Sequence, residues 1–200
     1  YTTSGKCDDT SILEGTQPVT ASLNGLKLAL SFNGNLVNTV QLRKETDQQF
    51  SDLPYTCDSD LICRKLLLEL EKYKDLASAV GECMRNIDGA FSVTGITGDG
   101  EFFAFKDQHG IKPLCAGHSP AEATYAFSSE SVSLEINSFV RDFELEPGEF
   151  VTVSKDGFKR QQIIKNPRKA FCAFEYAYFA RPDSRFDGKY VYEIREEFGR

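Results

Sequence analysis

The chain has 200 residues, 40% hydrophobic and 26% charged, the ordinary balance of a globular protein, and its 8 Tyr and 16 Phe could not stay solvated in a disordered chain. A net charge of −7 argues against a nucleic-acid partner. No run approaches the roughly 18 apolar residues of a membrane span, so no membrane partner is expected.

The first 20 residues are polar and turn-rich and read as a loop ending at Gln17-Pro18. Leu26, Leu28, Leu30 and Phe32 alternate with Lys27, Ala29 and Ser31. That period of two predicts a half-buried strand stopping at Asn33-Gly34. The stretch 36–50, LVNTVQLRKETDQQF, loses the alternation and reads as a helix with a charged face. Cys63, Leu66, Leu67 and Leu70 fall at i, i+3, i+4 and i+7, the stripe of a second helix, with Asp58 and Ser59 as N-cap residues. Leu76, Val80, Cys83 and Ile87 mark a third helix on the same side.

From Gly89 the pattern turns to strands. GAFSVTGI and EFFAFKD flank the turn Thr97–Gly100 and predict a hairpin, and Asp107–Gly110 is a further turn. TYAFSSE reads as a strand and SVSLEINSF as a short helix. EFVTVSKDGFKRQQI reads as a second hairpin turning at Asp156-Gly157. A strand, then helices, then many antiparallel strands is an α+β order, helices on an antiparallel sheet, and disfavours a doubly wound nucleotide fold. The last 30 residues are rich in aromatics around Arg181-Pro182-Asp183-Ser184 and end in the helix-like YEIREEFGR. They read as a domain junction.

The six cysteines, Cys7, Cys57, Cys63, Cys83, Cys115 and Cys172, form no C-x-x-C pair, which disfavours a zinc knuckle. The opening YTTSGKCDDT has neither a charged start nor an apolar stretch. Together these lead us to expect free thiols and a cytoplasmic protein. Chemistry has few places to sit. Asn33-Gly34 at a strand end could offer a side-chain amide and a backbone N–H to a developing oxyanion; the same dipeptide also makes a plain turn. Asp58 could hold an ammonium group or simply cap a helix. Asp58 and Asp60 could be a metal pair, but no third ligand is placed to complete it. His109 and His118 read as turn residues and Cys115 as core.

These pieces occur in a telling order: YTTSG, Gln17-Pro18, LSFNGNLVN, CDSD, GAFSVTGI, FFAFKDQHGIKPL, SSESVSL, PGEF and CAFEYAYFARPDSRFDG. The whole chain resembles the glutaminase half of the amidophosphoribosyltransferase family of class II glutamine amidotransferases. FEYAYFARPDS points to this family over the glucosamine-phosphate synthase and asparagine synthetase relatives. The resemblance implies an N-terminal-nucleophile hydrolase fold, an αββα sandwich of two antiparallel sheets between helix layers. It implies an N-terminal Cys thiolate attacking glutamine, with its own amine as base. By the same resemblance Asn33 and Gly34 form the oxyanion hole and Asp58 binds the glutamine α-ammonium. Tyr1, Thr3 and Gly5 match a loop that closes on glutamine.

Released ammonia would pass to a phosphoribosyltransferase domain and displace pyrophosphate from phosphoribosylpyrophosphate. That step opens purine nucleotide synthesis. Residues 1–170 would be the glutaminase domain and 171–200 the junction to the transferase domain. The resemblance places magnesium in that other domain, none in these residues, and implies a homo-oligomer. Some family members carry an iron–sulfur cluster, and Cys172 matches one ligand position. The sequence departs from the family at its start, where residue 1 is Tyr and the loop Arg has no counterpart, and at Asp60, where the family has Glu. The first strands of the fold and the transferase domain have no counterpart either. The expectation is an internal fragment that does not hydrolyse glutamine by itself. Two alternatives remain at this point: a non-catalytic domain that binds glutamine or a partner, and another class II amidotransferase acting on a sugar phosphate or aspartate.

Overall fold

The computed structural model describes residues 16–50 and 57–200. Tyr1, Thr3 and Gly5 lie outside the described residues. The elements run β1 (Val19–Leu23), β2 (Leu26–Leu36), α1 (Thr39–Thr46), α2 (Asp58–Tyr73), α3 (Leu76–Asn86), β3 (Gly89–Thr97), β4 (Phe102–Lys106), β5 (Cys115–His118), β6 (Tyr125–Ser128), α4 (Ser131–Ile136), β7 (Val140–Glu144), β8 (Glu149–Ser154) and β9 (Gly157–Gln162). A π-helix (Glu175–Phe179), a short ribbon of β10 (Arg185–Phe186) and β11 (Lys189–Tyr190), and α5 (Val191–Phe198) follow. Among the described residues no helix is long and apolar enough to cross a membrane.

Six strands form one antiparallel sheet in the order β1-β2-β3-β4-β8-β9, and three form a second in the order β6-β5-β7. Strand alternation sends alternate side chains to two different cores. Leu28, Leu30, Leu36, Phe91, Val93, Phe103, Phe105 and Phe150 join the main core with Leu61, Ile62, Leu66 and Leu67 of α2 and Val80, Cys83 and Met84 of α3. Ala104 and Val151, one step out of phase on β4 and β8, point the other way. They meet Leu114, Ala116 and Leu145, with Phe127, Phe143 and Phe158 packed around them. That second cluster lies between the two sheets, and α4 packs on β6 and β7. The α+β sandwich expected from the sequence is therefore present.

Four readings need correction. Residues 19–23 are a strand, not loop. Asn24-Gly25 turns the chain with both residues at positive φ (48° and 87°), so Leu23 pairs with Leu26 across a two-residue hairpin. β2 runs past Asn33-Gly34 to Leu36, and the helix expected over 36–50 occupies only 39–46. Cys115–His118 and Val140–Glu144 are strands of the second sheet. Their four and five residues are too short for a periodic signal: Cys115 reads as core, His118 as a turn residue, and 140–144 carries no reading.

The second sheet is tied in through Asp107, 1% exposed at the end of β4. Its carboxylate accepts the N–H groups of His109 and Gly110 on Oδ1 (2.7 and 3.0 Å) and of Phe91 on Oδ2 (2.9 Å). Its own N–H donates to the Phe91 carbonyl at 3.0 Å. One side chain thus ends β4 and satisfies three backbone donors that burial would otherwise leave unpaired.

Candidate functional site

The inter-sheet face of β2 and β3 opens into a cleft of about 950 Å³ lined by Asn33, Gly34, Asp58, Ser92, Lys112 and Ser128, among others. Its floor depends on how β2 distributes its hydrogen bonds. On one side β2 pairs with β3 along its length, Leu36 facing Gly89. On the other, β1 reaches only as far as Val19 opposite Leu30. Beyond that point side chains take over the pairing. The Gln17 amide imitates a strand: Phe32 N–H donates to its Oε1 at 2.6 Å, and its Nε2 donates to the Phe32 carbonyl at 3.0 Å. Two pairs further on, Leu36 N–H donates to Asp58 Oδ2 at 2.9 Å.

Gly34 lies between these two anchors, with the same strand parity as Phe32 and Leu36, so its N–H points to the same side. The opposite strand agrees. Phe91, the partner of Gly34, gives both its N–H and its carbonyl to Asp107, which makes Gly34 and Phe91 a pair without mutual hydrogen bonds. The backbones approach closely here: a Cβ on Gly34 would lie 2.2 Å from the Ala90 carbonyl oxygen. Only glycine fits. The result is a backbone donor facing the cleft in mid-strand, beside Asn33, whose amide makes no hydrogen bond with a described residue. The sequence expectation of a strand end is overturned. The donor is exposed because β1 stops, while β2 continues.

Asp58 is the first residue of α2, and Cys57 is its N-cap. The Asp58 carboxylate reaches across to β2, accepting the Leu36 N–H. Reading it as the cap was therefore incorrect, although it does sit where the helix dipole favours an anion. Asp60 is held by Arg64, with Nε 2.9 Å from Oδ1 and Nη2 2.7 Å from Oδ2. Among the described residues no cluster of three His, Cys, Asp or Glu could hold a metal. His118 ends β5 with Nδ1 2.7 Å from Asp142 Oδ1, and neither it nor His109 lines the cleft. Cys115 is buried, its Sγ donating to the Ser128 carbonyl at 3.2 Å, and burial pushes its thiol up to about 12.

Cys172 is half-buried in a separate small cavity of about 40 Å³ with Lys106, Glu144, Glu175 and Tyr176. That cavity holds no second cysteine. A cluster needs several thiolates together, and among the described residues Cys172 has no other cysteine beside it.

Sequence reasoning missed Gln17 and Lys112 as cleft residues, because nothing local marks a glutamine that substitutes for a strand. It also missed why SSESVSL and FARPDS go together. Glu130 Oε2 accepts from the Ser184 hydroxyl (2.6 Å) and the Arg181 N–H (2.8 Å), and Ser131 Oγ accepts from Arg185 N–H (2.9 Å). The C-terminal segment is thereby fastened beside Ser128 and Ser129 at the cleft wall.

A family model described as glutamine amidotransferase domain matches residues 8–135. The whole chain is 35% identical to the amidophosphoribosyltransferase of Synechococcus elongatus, of which it covers 40%, and 35% identical to that of Mus musculus, of which it covers 41%. Among solved structures it is similar to the glutamine phosphoribosylpyrophosphate amidotransferase from B. subtilis complexed with ADP and GMP. There the TM-score is 0.83 and the identity 29%, over 93% of this chain and 40% of that one. That likeness establishes the N-terminal-nucleophile hydrolase fold.

Proposed function

The chain belongs to the glutamine amidotransferase domain family, and from that premise we propose that its cleft is the glutaminase site of an amidophosphoribosyltransferase. The observation that carries this reading is the Gly34 N–H, left facing the cleft between Gln17 and Asp58. When a thiolate attacks the side-chain amide carbon of glutamine, the carbonyl oxygen becomes an oxyanion. Gly34 N–H and the Asn33 amide N–H donate to it, in place before charge develops. Collapse of the tetrahedral species expels the amide nitrogen as ammonia and leaves the glutamyl group on sulfur for water to release. Asp58 receives the α-ammonium of the substrate. Within this reading the thiolate and its amine base belong to the part of the relatives' length that these residues do not span. The 200 residues alone are expected to be inactive.

The chain spans about 40% of the length of the curated relatives it matches. We assign to the whole protein the transfer of ammonia to phosphoribosylpyrophosphate, giving phosphoribosylamine for purine synthesis. In that assignment the protein is a cytoplasmic homo-oligomer, and magnesium accompanies phosphoribosylpyrophosphate in the remainder of the protein. Residues 1–170 are the glutaminase domain and 171–200 the junction. The aromatics exposed there, Tyr178 at 78% and Phe174 at 66%, support a junction that packs on further protein.

Asn33→Ala in the full-length protein tests the site. Losing one oxyanion donor costs about 2.7–4 kcal/mol, so glutamine-dependent turnover is expected to fall about 100-fold or more while turnover with free ammonia survives. Equal loss of both activities would make Asn33 structural and remove the site from the cleft.

A further inference from the structure

The backbone donor that faces the cleft belongs to a glycine, the residue whose conformation is least constrained by its own side chain. The direction of the Gly34 N–H is therefore set by the restraints on β2 around it. Along one edge β3 pairs with β2 from Leu28 to Leu36. On the cleft side, two places beyond Gly34, the Leu36 N–H is held by Asp58 Oδ2 at 2.9 Å. Two places before Gly34 the restraint is Gln17, which takes Phe32 N–H on Oε1 at 2.6 Å and donates from Nε2 to the Phe32 carbonyl at 3.0 Å.

Register explains why a side chain does this. Extending the β1–β2 pairing by two places past Val19 and Leu30 sets Gln17 opposite Phe32. A strand at that place would pair through its own N–H and carbonyl, and would go on to take the Gly34 N–H at the next paired position. Gln17 supplies the same donor and acceptor from the end of a side chain, and β1 begins only at Val19. Phe32 is thus held like a residue within a ladder, yet the pairing stops short of Gly34. Gln17 lines the cleft with Asn33 and Gly34. Its amide is uncharged, so it fixes the donor without adding charge where an oxyanion would form.

We propose that Gln17 is a positioning residue for the reaction in the cleft: by holding β2 at Phe32 it sets the Gly34 N–H in place before the oxyanion develops. This rests on the glutaminase reading above. The role is exerted through the β2 backbone and is felt in the transition state, not in the binding of substrate.

The test is made in the full-length protein with two neutral variants, Gln17→Met and Gln17→Asn, each assayed with glutamine and with free ammonia. Met keeps the volume and loses the amide; Asn keeps the amide on a stem one methylene shorter, which cannot make both bonds. Each is expected to lower kcat with glutamine about 10- to 100-fold, the upper end being the cost of a misplacement of about 1 Å. The KM for glutamine should stay within about twofold of the parent, since the interaction lost is made in the transition state only. Ammonia-dependent turnover should hold. A residue that binds substrate would instead raise KM at unchanged kcat, and a purely structural residue would lower both activities together in both variants. Either result, or an unchanged kcat with glutamine, overturns the proposal. Gln17→Met combined with Asn33→Ala gives a further reading: two groups serving one oxyanion lose less together than the product of their separate losses, and a full product also overturns the proposal. Asn33→Ala by itself separates the two levels. If it leaves glutaminase turnover intact, the cleft has been misassigned; if it cuts turnover and the Gln17 variants do not, only the role of Gln17 fails.

Discussion

Replacing Asp58 by Asn removes a charge while leaving its best-defined contact in place. Asp58 Oδ2 accepts the Leu36 N–H at 2.9 Å, and the carbonyl oxygen of Asn accepts the same bond. The loss of a carboxylate from the first turn of α2 costs only about 0.3–1 kcal/mol through the helix dipole. The fold is therefore expected to survive, with a urea midpoint close to the parent's. The substrate feels a larger change. An ammonium bound to a carboxylate gains about 1.5–3 kcal/mol over a neutral contact, which converts to a rise in glutamine KM of about 10- to 150-fold. The contact is made in ground and transition state alike, so kcat should change little. Asp58→Ala differs: it strands the Leu36 N–H and adds about 1–3 kcal/mol of destabilisation. Initial rates against glutamine concentration, with ammonia-dependent turnover as control, decide the matter. A normal glutamine KM in folded Asp58→Asn protein would refute the assignment and leave Asp58 as a brace between α2 and β2.

Three further outcomes are expected. Gly34→Ala should cut glutamine-dependent turnover at least as far as Asn33→Ala, since a Cβ 2.2 Å from the Ala90 oxygen must push β2 and β3 apart by about an ångström, a misplacement worth about 100-fold; turnover within threefold of the parent would contradict the close approach. Glu130→Ala should lower stability by about 1–3 kcal/mol, because the fully buried Ser184 loses its acceptor and Arg181 N–H its partner; an unchanged urea midpoint would show that the segment is held by other contacts. Among the five described cysteines, half-buried Cys57 and Cys172 should react with a thiol reagent at pH 8 well before Cys63, Cys83 and Cys115. Burial raises all three of the latter thiols, Cys63 and Cys115 up to about 12. Peptide mass mapping that finds Cys63 or Cys115 labelled first would refute the ordering.

Much of the main sheet and the two long helices, α2 and α3, were legible because their apolar residues repeat over many positions. The stripe through Cys63, Leu66, Leu67 and Leu70 and the alternation from Leu26 to Phe32 each constrain one face of a long element. The second sheet was hard to read because β5, β6 and β7 have four or five residues each, and β5 and β7 join through a register shift between Ala116 and Gly117. β1 was missed although Asn24-Gly25 is a strong hairpin signal, because polar residues on its exposed face hid Val19, Ala21 and Leu23. In the site, the type and order of Asn33, Gly34 and Asp58 were visible, while the reason they meet was not. That reason is long-range: Gln17 acts across 15 positions and Asp58 across 22. Such pairings depend on how the chain returns to itself, and local periodicity does not encode them.

The stretch of β2 from Phe32 to Leu36 also bears on how the protein stays apart from other chains. A sheet margin with several consecutive free donors and acceptors templates the addition of a foreign strand. Here the Gln17 amide closes the rung before Gly34 and the Asp58 carboxylate the rung after it. One donor position is left between two side-chain stoppers. A peptide backbone needs several rungs in register to bind, whereas a single carbonyl oxygen needs only one. The geometry that makes the site small enough for a side-chain amide therefore also makes it a poor seed for strand addition, and shortening Gln17 or Asp58 would extend the open margin in the direction of self-association.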